Sequence, residues 1–322
     1  MGTLAPAVYF LVRQARSQAR FGRTPHHRWA LKLDRPVPSL GPLPLMISNF
    51  FRLSTAALLA FNLVSGSDAA EASGSTVKPV PRADANSKTA HEQLVAKARA
   101  GRIDLYFVGD SITRRWGASD TQYRDMLANW RTNFHGWNAG NFGWGADSIQ
   151  NILWRLTNGE LDGVNPKVIV LLAGTNNLRP GRTGVDDDKQ VDEVVGGIHA
   201  ILDVFRSKAP GASVILMGVL PRNEAGGKTA LIPTIRRINT RLAAFADGDK
   251  IRFLDIGDRL ADPTGKLVDG VTVDGLHLSV KGYQIWADAL KPLLEKRLGL
   301  RAAVDLAPPP TGDPSAVRPV AR

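Results

Sequence analysis

Residues 103–112 read Ile-Asp-Leu-Tyr-Phe-Val-Gly-Asp-Ser-Ile. The apolar run Ile103 to Val108 has the length and the aromatic and β-branched content of a strand, Gly109 permits a sharp exit, and helical sequence follows. The same strand-then-helix rhythm recurs along the chain. Val168 to Ala173 (VIVLLA) is bounded by Pro166 and Gly174, Ser213 to Val219 and Ile251 to Ile256 are further strands, and a weaker short one lies at Trp137 to Phe142. Near-continuous Val/Ile/Leu runs are the mark of strands covered on both faces. Between them, Val191, Val194, Val195, Ile198, Ile201, Leu202 and Phe205 recur at helical spacing, as do Trp286, Ala289, Leu290 and Leu293. The expected fold is α/β: a three-layer α/β/α sandwich around a mainly parallel sheet of about five strands, flavodoxin-like, with any ligand beyond the carboxyl ends of the strands.

Composition narrows the chemistry. The 322 residues contain no cysteine, which removes disulfides, zinc-thiolate sites, iron–sulfur clusters and a cysteine nucleophile together. Hydrophobic residues make 43% and charged residues 22%, an ordinary globular balance that argues against a disordered or coiled-coil chain. The net charge of +11 invites a nucleic-acid reading. Residues 1–72, however, hold eight Lys/Arg against three acids, a surplus of +5 that leaves only +6 for the rest. With no basic run interleaved with aromatics in that remainder, no nucleic-acid partner is expected.

Four short motifs fall where such a sheet would expose them. Gly109-Asp110-Ser111 follows the first strand; a serine there presents its hydroxyl on the rim, although a simple helix cap accounts for the tripeptide equally well. Asp274-Gly275-Leu276-His277 precedes the last amphipathic helix, and two intervening residues let one loop deliver imidazole and carboxylate together. Gly174-Thr175-Asn176-Asn177 follows the Val168 strand, where an amide can donate to a developing oxyanion and where paired asparagines also make ordinary turns. Asn141-Phe142-Gly143-Trp144-Gly145-Ala146-Asp147-Ser148 is a Gly-rich loop. Asp147 with Gln150 fits a helix cap and its capping-box partner, which would turn backbone N–H groups into the site. Neither the G-x-G-x-x-G nor the G-x-x-x-x-G-K-S/T pattern occurs.

Together the stretches FVGDSI, NFGWGADSIQNILWRLTNGELDGVNPKVIVLLAGTNNL and DGLHLSVKGY, spread from Phe107 to Tyr283, resemble the SGNH, or GDSL, esterase superfamily. The resemblance is strongest to the branch containing the catalytic subunits of intracellular platelet-activating-factor acetylhydrolase. It implies Ser111 as nucleophile, His277 as base and Asp274 as its orienter. It also implies an oxyanion hole from the Ser111 backbone N–H, the backbone N–H of the Gly-rich loop and the Asn176 side chain. The family's glycine before the loop Asp is Ala146 here. A backbone donor survives that change, but the methyl group is expected to crowd the acyl pocket or restrict the loop. Trp144 and Gly145 are expected to line the substrate pocket, while Trp154 packs in the core. The scheme needs no metal and no organic cofactor. The Asp186-Asp187-Asp188 run is read as a solvated acidic loop before a helix.

The ends are read separately. From Met46, Arg52 supplies a positive start, Leu53 to Val64 an apolar stretch short for a bilayer, and Ala70-Glu71-Ala72 a small-x-small cleavage site, so residues 46–72 are expected to be a secretory signal. An uncleaved membrane anchor is the alternative. Residues 1–45, basic and then Pro-rich, are a leader, expected to be upstream sequence with Met46 the true start. Residues 73–87 read as a linker, 88–300 as the hydrolase domain and 301–322 as a Pro-rich disordered tail. The expected protein is a secreted or periplasmic serine esterase acting on short-chain acyl, above all acetyl, esters, with an acetylated carbohydrate among its candidate substrates. A homodimer accords with the resemblance, and no stable membrane span is expected after signal removal. A lysophospholipase or thioesterase with a longer acyl pocket, and a non-catalytic carbohydrate-binding module on the same fold, are the alternatives.

Overall fold

The computed structural model describes residues 76–224 and 228–316. The leader (1–45), the signal with its cleavage site (46–72) and the last residues of the tail (317–322) lie outside the described residues.

Five strands form one parallel sheet: β1 Leu105–Gly109, β2 Ala139–Gly143, β3 Val168–Leu172, β4 Ser213–Met217 and β5 Ile251–Leu254. Their order is β2-β1-β3-β4-β5. The chain leaves β1 to one side for β2 and crosses back to β3, so the direction of winding reverses between β1 and β3, and a crevice opens at the carboxyl ends of those two strands. The segments that follow them carry Ser111 and Asn176.

The helices are α1 Ala85–Arg99, α2 Ser111–Gly117, α3 Arg124–Phe134, α4 Ile149–Arg155, α5 Val185–Lys208, α6 Ile232–Ala243, α7 Gly257–Leu260 and α8 Val280–Leu298. β1 is buried throughout, and alternate residues feed different cores. Tyr106 and Val108 join α1, α4, α5 and α6 on one face, where the expected stripe from Val191 to Phe205 is buried. Leu105 and Phe107 face α2, α3 and α8 on the other, among Trp116, Trp130, Phe134 and Trp286. Both faces being covered is why these strands read as continuous apolar runs rather than alternating ones.

The domain is wider than the sequence suggests. Residues 76–84 are no free linker: Thr76 is buried with its hydroxyl donating to Glu193 O at 2.6 Å, and Val80 N donates to Gln150 O at 3.1 Å. The α1 helix begins within the expected linker, capped by Asp84, whose side chain accepts from Ser87 N. Residues 301–316 are likewise docked. Arg102 N donates to Leu306 O, Ala302 N to Gly136 O and Ser119 N to Thr311 O, while Leu306 N finds Asn138 Oδ1. An extended Pro-rich segment has no periodicity to read, but its backbone groups can still be paired by loops it crosses. The acidic run also differs from expectation. Asp186, Asp187 and Asp188 form the first turn of α5, where their charge suits the helix dipole, and Arg237 binds Asp187 and Asp188.

Candidate active site

Ser111 stands at the first position of α2, directly after β1. The Asp110 side chain caps this helix by accepting from Ile112 N at 2.9 Å. Gly109 is required at the strand exit: a Cβ there would lie 2.3 Å from both Leu172 O and Thr113 Oγ1. His277 and Asp274 come from the turn before α8. Gly275 takes φ +82° and Val273 N donates to His277 O at 2.9 Å, closing that turn. Tyr283 Oη, reaching from α8, donates to Ile112 O at 2.6 Å, and the Tyr283 ring stacks on Trp116 with centroids 4.9 Å apart. These two contacts fix α8 against α2 and thereby set the distance between the serine and histidine loops.

The Ser111 hydroxyl lies 2.9 Å from His277 Nε2, and His277 Nδ1 lies 2.7 Å from Asp274 Oδ2. A carboxylate only accepts, so the proton belongs on Nδ1 and Nε2 is left as the acceptor for the serine O–H. Asp274 Oδ1 accepts from the backbone N–H of His277 and Leu276 at 2.8 and 3.1 Å. Partial burial pushes the Asp274 carboxyl up, but these donors and the imidazole outweigh it and hold it below the usual carboxylate range. Burial lowers the His277 pKa, aided by the Arg115 charge and opposed by Asp274, so the neutral base is favoured.

Asn176 and the Gly-rich loop close the other side. Asn176 Nδ2 donates to Asp147 O at 2.9 Å, which fixes the amide and leaves its second N–H free. Asn177 does different work: it accepts from Ile149 N and donates to Gln150, clamping the start of α4. Among the described residues, neither the Ser111 nor the Ala146 backbone N–H donates to a group within the chain. Ala146 is exposed and holds φ at +60°, the left-handed conformation that glycine tolerates better. Gly145 beside it borders open space.

Two expectations for this loop need correction. The cap of α4 is Ser148, with Asn151 as its capping-box partner, because Asp147 is fully buried and engaged by Arg155 Nε at 2.7 Å. Trp144, expected at the substrate pocket, is turned into the interior. It is 7% exposed, its Nε1 donates to Ser87 Oγ at 2.8 Å, and the Arg114 guanidinium covers its ring at 4.8 Å. Trp154 is only half-buried, with its ring against His91.

Sequence reasoning missed the charges beneath the loop. Arg155 is buried and binds Asp147, Glu160, Phe142 O and Gly109 O. Burial pushes the Asp147 carboxyl up to about 6 despite Arg155. The available signal was an arginine on the apolar side of the run IQNILWRL, a place where a charge must be paired.

A cavity of about 520 Å³ lies at the carboxyl ends of β4 and β5, walled by Val219, Pro221, Ile232, Ile235 and Asp255, but contains none of the Ser111, Ala146, Asn176 or His277 side chains.

Residues 107–285 match the GDSL-like lipase/acylhydrolase family. The chain belongs to this family. It is 34% identical over 226 residues to bovine platelet-activating factor acetylhydrolase IB subunit alpha1, covering 69% of this chain and 89% of that protein. It is 32% identical over 209 residues to the rat alpha2 subunit, covering 64% and 80%. Among solved structures, a GDSL-like lipase from Bacteroides thetaiotaomicron superposes with a TM-score of 0.51 at 22% identity, over 64% of this chain and 97% of that one, a likeness of fold. The chain is therefore an acylhydrolase, a hydrolase of ester bonds, on a five-stranded parallel α/β/α sandwich.

Proposed function

We propose that this acylhydrolase is a serine esterase that releases short acyl groups, acetyl foremost, through Ser111, His277 and Asp274. The observation that carries the reading is the continuous relay from the Ser111 hydroxyl to His277 Nε2 and from His277 Nδ1 to Asp274. Ser111 Oγ attacks the ester carbonyl while its proton passes to Nε2, and Asp274 stabilises the imidazolium. The N–H groups of Ser111 and Ala146 and the free N–H of Asn176 receive the developing oxyanion. As the tetrahedral intermediate collapses, Nε2 returns the proton to the leaving alcohol. Water, deprotonated by the same nitrogen, then hydrolyses the acyl-enzyme.

A short acyl group is supported by the names of the acetylhydrolase relatives. Two sources of acetyl ester fit: an acetylated carbohydrate or, following the relatives' names, an acetylated phospholipid. We also propose that the protein acts outside the cytoplasm, on the composition of residues 46–72, and as a homodimer by resemblance. Among the described residues no helix is long and apolar enough to cross a membrane. N-terminal sequencing of the mature protein and sedimentation velocity check these two points.

Hydrolysis of p-nitrophenyl acetate, butyrate and octanoate by wild type and Ser111→Ala tests the mechanism. Acetate turnover is expected to exceed that of octanoate and to fall by roughly 10⁴-fold or more in the variant. Equal rates for the two proteins would remove the nucleophile assignment, and faster octanoate hydrolysis would replace the short-acyl reading with a long-acyl one.

A further inference from the structure

Arg82 lies outside the family-matched region, in the segment 76–84 that docks on α4. Val80 anchors that segment on both sides, donating to Gln150 O and accepting from Asn151 Nδ2 at 2.9 Å. Arg82 Nη2 pairs with Asp84 at 3.0 Å, while Nη1 donates to Gly145 O at 2.8 Å and sits 3.5 Å from Asp147 Oδ1. Its side chain is 29% exposed. Gly145 C=O and Ala146 N–H belong to the same peptide unit. In a trans peptide they point in opposite directions, so a guanidinium holding the oxygen aims the N–H away from itself. Beyond Ala146 and its own carbonyl, Asp147 O is held by Asn176. The residue at φ +60° thus lies between two held carbonyls, that of the preceding Gly145, bonded by Arg82, and that of the following Asp147, bonded by Asn176.

We infer that Arg82 is a positioning residue for the oxyanion hole, acting through the Gly145–Ala146 peptide. This rests on the reading of Ala146 N–H as an oxyanion donor. A cation bonded to the carbonyl does two things: it fixes the plane of the peptide, and it polarises the amide so that the N–H becomes a stronger donor. Neither effect requires contact with substrate, and both act on the transition state, where the negative charge develops, more than on the bound ester. Arg82 therefore supports kcat rather than KM. It also explains how alanine is accommodated where the family has glycine: the conformation that a methyl group disfavours is enforced from outside the loop.

The test uses the full chain as wild type, Arg82→Ala, Arg82→Lys and Ser111→Ala, each checked for an unchanged circular dichroism spectrum. With p-nitrophenyl acetate, Arg82→Ala is expected to lose about tenfold or more in kcat with KM within about twofold, and Arg82→Lys, which still offers a charged donor, to recover most of the loss. Added methylguanidinium should restore part of the Arg82→Ala rate and none of the Ser111→Ala rate. Independently of turnover, the ¹⁵N resonance of the Ala146 amide, which responds to hydrogen bonding at the preceding carbonyl, should move in Arg82→Ala and return toward wild type in Arg82→Lys. An unmoved Ala146 resonance, or an unchanged kcat in an active, folded Arg82→Ala protein, overturns the inference. Failure of the esterase reading shows separately, as equal rates for wild type and Ser111→Ala, and the Ala146 resonance still decides whether Arg82 sets that peptide.

Discussion

Ala146 holds φ at +60° on the rim beside the serine, and an L-residue in that conformation costs about 1–2 kcal/mol. Its methyl group is exposed, so the cost is in the backbone and not in crowding by packed neighbours. Replacing it with glycine removes the strain but gives the unfolded chain about 0.5–1 kcal/mol of extra entropy to lose. Ala146→Gly is therefore expected to stabilise the fold modestly, by about 0.5–1 kcal/mol. The midpoint of urea unfolding should rise while the m-value stays constant; a lower midpoint would show that the methyl group makes favourable contacts here. Residues of this kind divide what could be read from what could not. Ser111, Asp274 and His277 stand out because their spacing and order carry the signal. The left-handed turn at Ala146 does not, because alanine is the last residue from which to infer it.

At the scale of the elements, every expected strand is present with no end shifted by more than two residues, since a fully buried parallel strand is a short apolar run and little else in the sequence imitates it. The two segments flanking the hydrolase core differ from expectation for the opposite reason. Residues 76–84 and 301–316 are held by scattered hydrogen bonds to helices and loops rather than by an apolar stripe, and such bonds leave no periodic trace. Their removal is measurable. Truncation after Leu300 strips partners from the backbone of Arg102, Ser119 and Gly136 and uncovers the surface beneath the buried Pro308. At about 0.5–1.5 kcal/mol per hydrogen bond, partly regained from water, the loss should be about 2 kcal/mol. For a domain of this size that lowers the melting temperature by about 4–8 °C. An unchanged melting temperature by calorimetry would mean that the tail rests on the domain without stabilising it.

Across the whole molecule, the carboxyl end of the sheet gathers buried charge. Asp110 and Asp147 are both inaccessible, Arg155 reaches between Gly109 O and Asp147, and Arg222 donates to Thr175 from the other side. Burial pushes the Asp110 carboxyl up to about 7; Asp147 adds to the rise, while the Ile112 N–H and Arg222 oppose it. Among the described residues its Oδ2 has no hydrogen-bond partner. An acid raised in the fold keeps its proton where the unfolded chain has already released one. Below about pH 4 both states are protonated and the group is neutral in effect; as pH rises from about 4 to 7 stability is lost, on the order of 2–4 kcal/mol. Asp110→Asn, which keeps an oxygen to cap α2, abolishes this titration. Relative to wild type the variant should gain stability between pH 4 and pH 8, read as a widening difference in urea midpoint. A difference independent of pH would show that Asp110 titrates in the fold as it does in the unfolded chain.

Local sequence determined the strand and helix pattern, hence the layered α/β class. It also determined which side chains could serve as nucleophile, base and orienter, because these depend on residue types over short spans and on periodic burial. Only the tertiary structure decided that the serine and the histidine, 166 residues apart, lie within hydrogen-bond reach. It likewise turned Trp144 into the interior, gave Asp147 to Arg155 rather than to a helix cap, and brought Arg82 onto the Gly-rich loop. Those outcomes depend on which distant groups compete for the same space and the same donors. That competition is settled by packing, in which most buried polar atoms pair with groups the fold brings within reach, and no single stretch of sequence contains both partners.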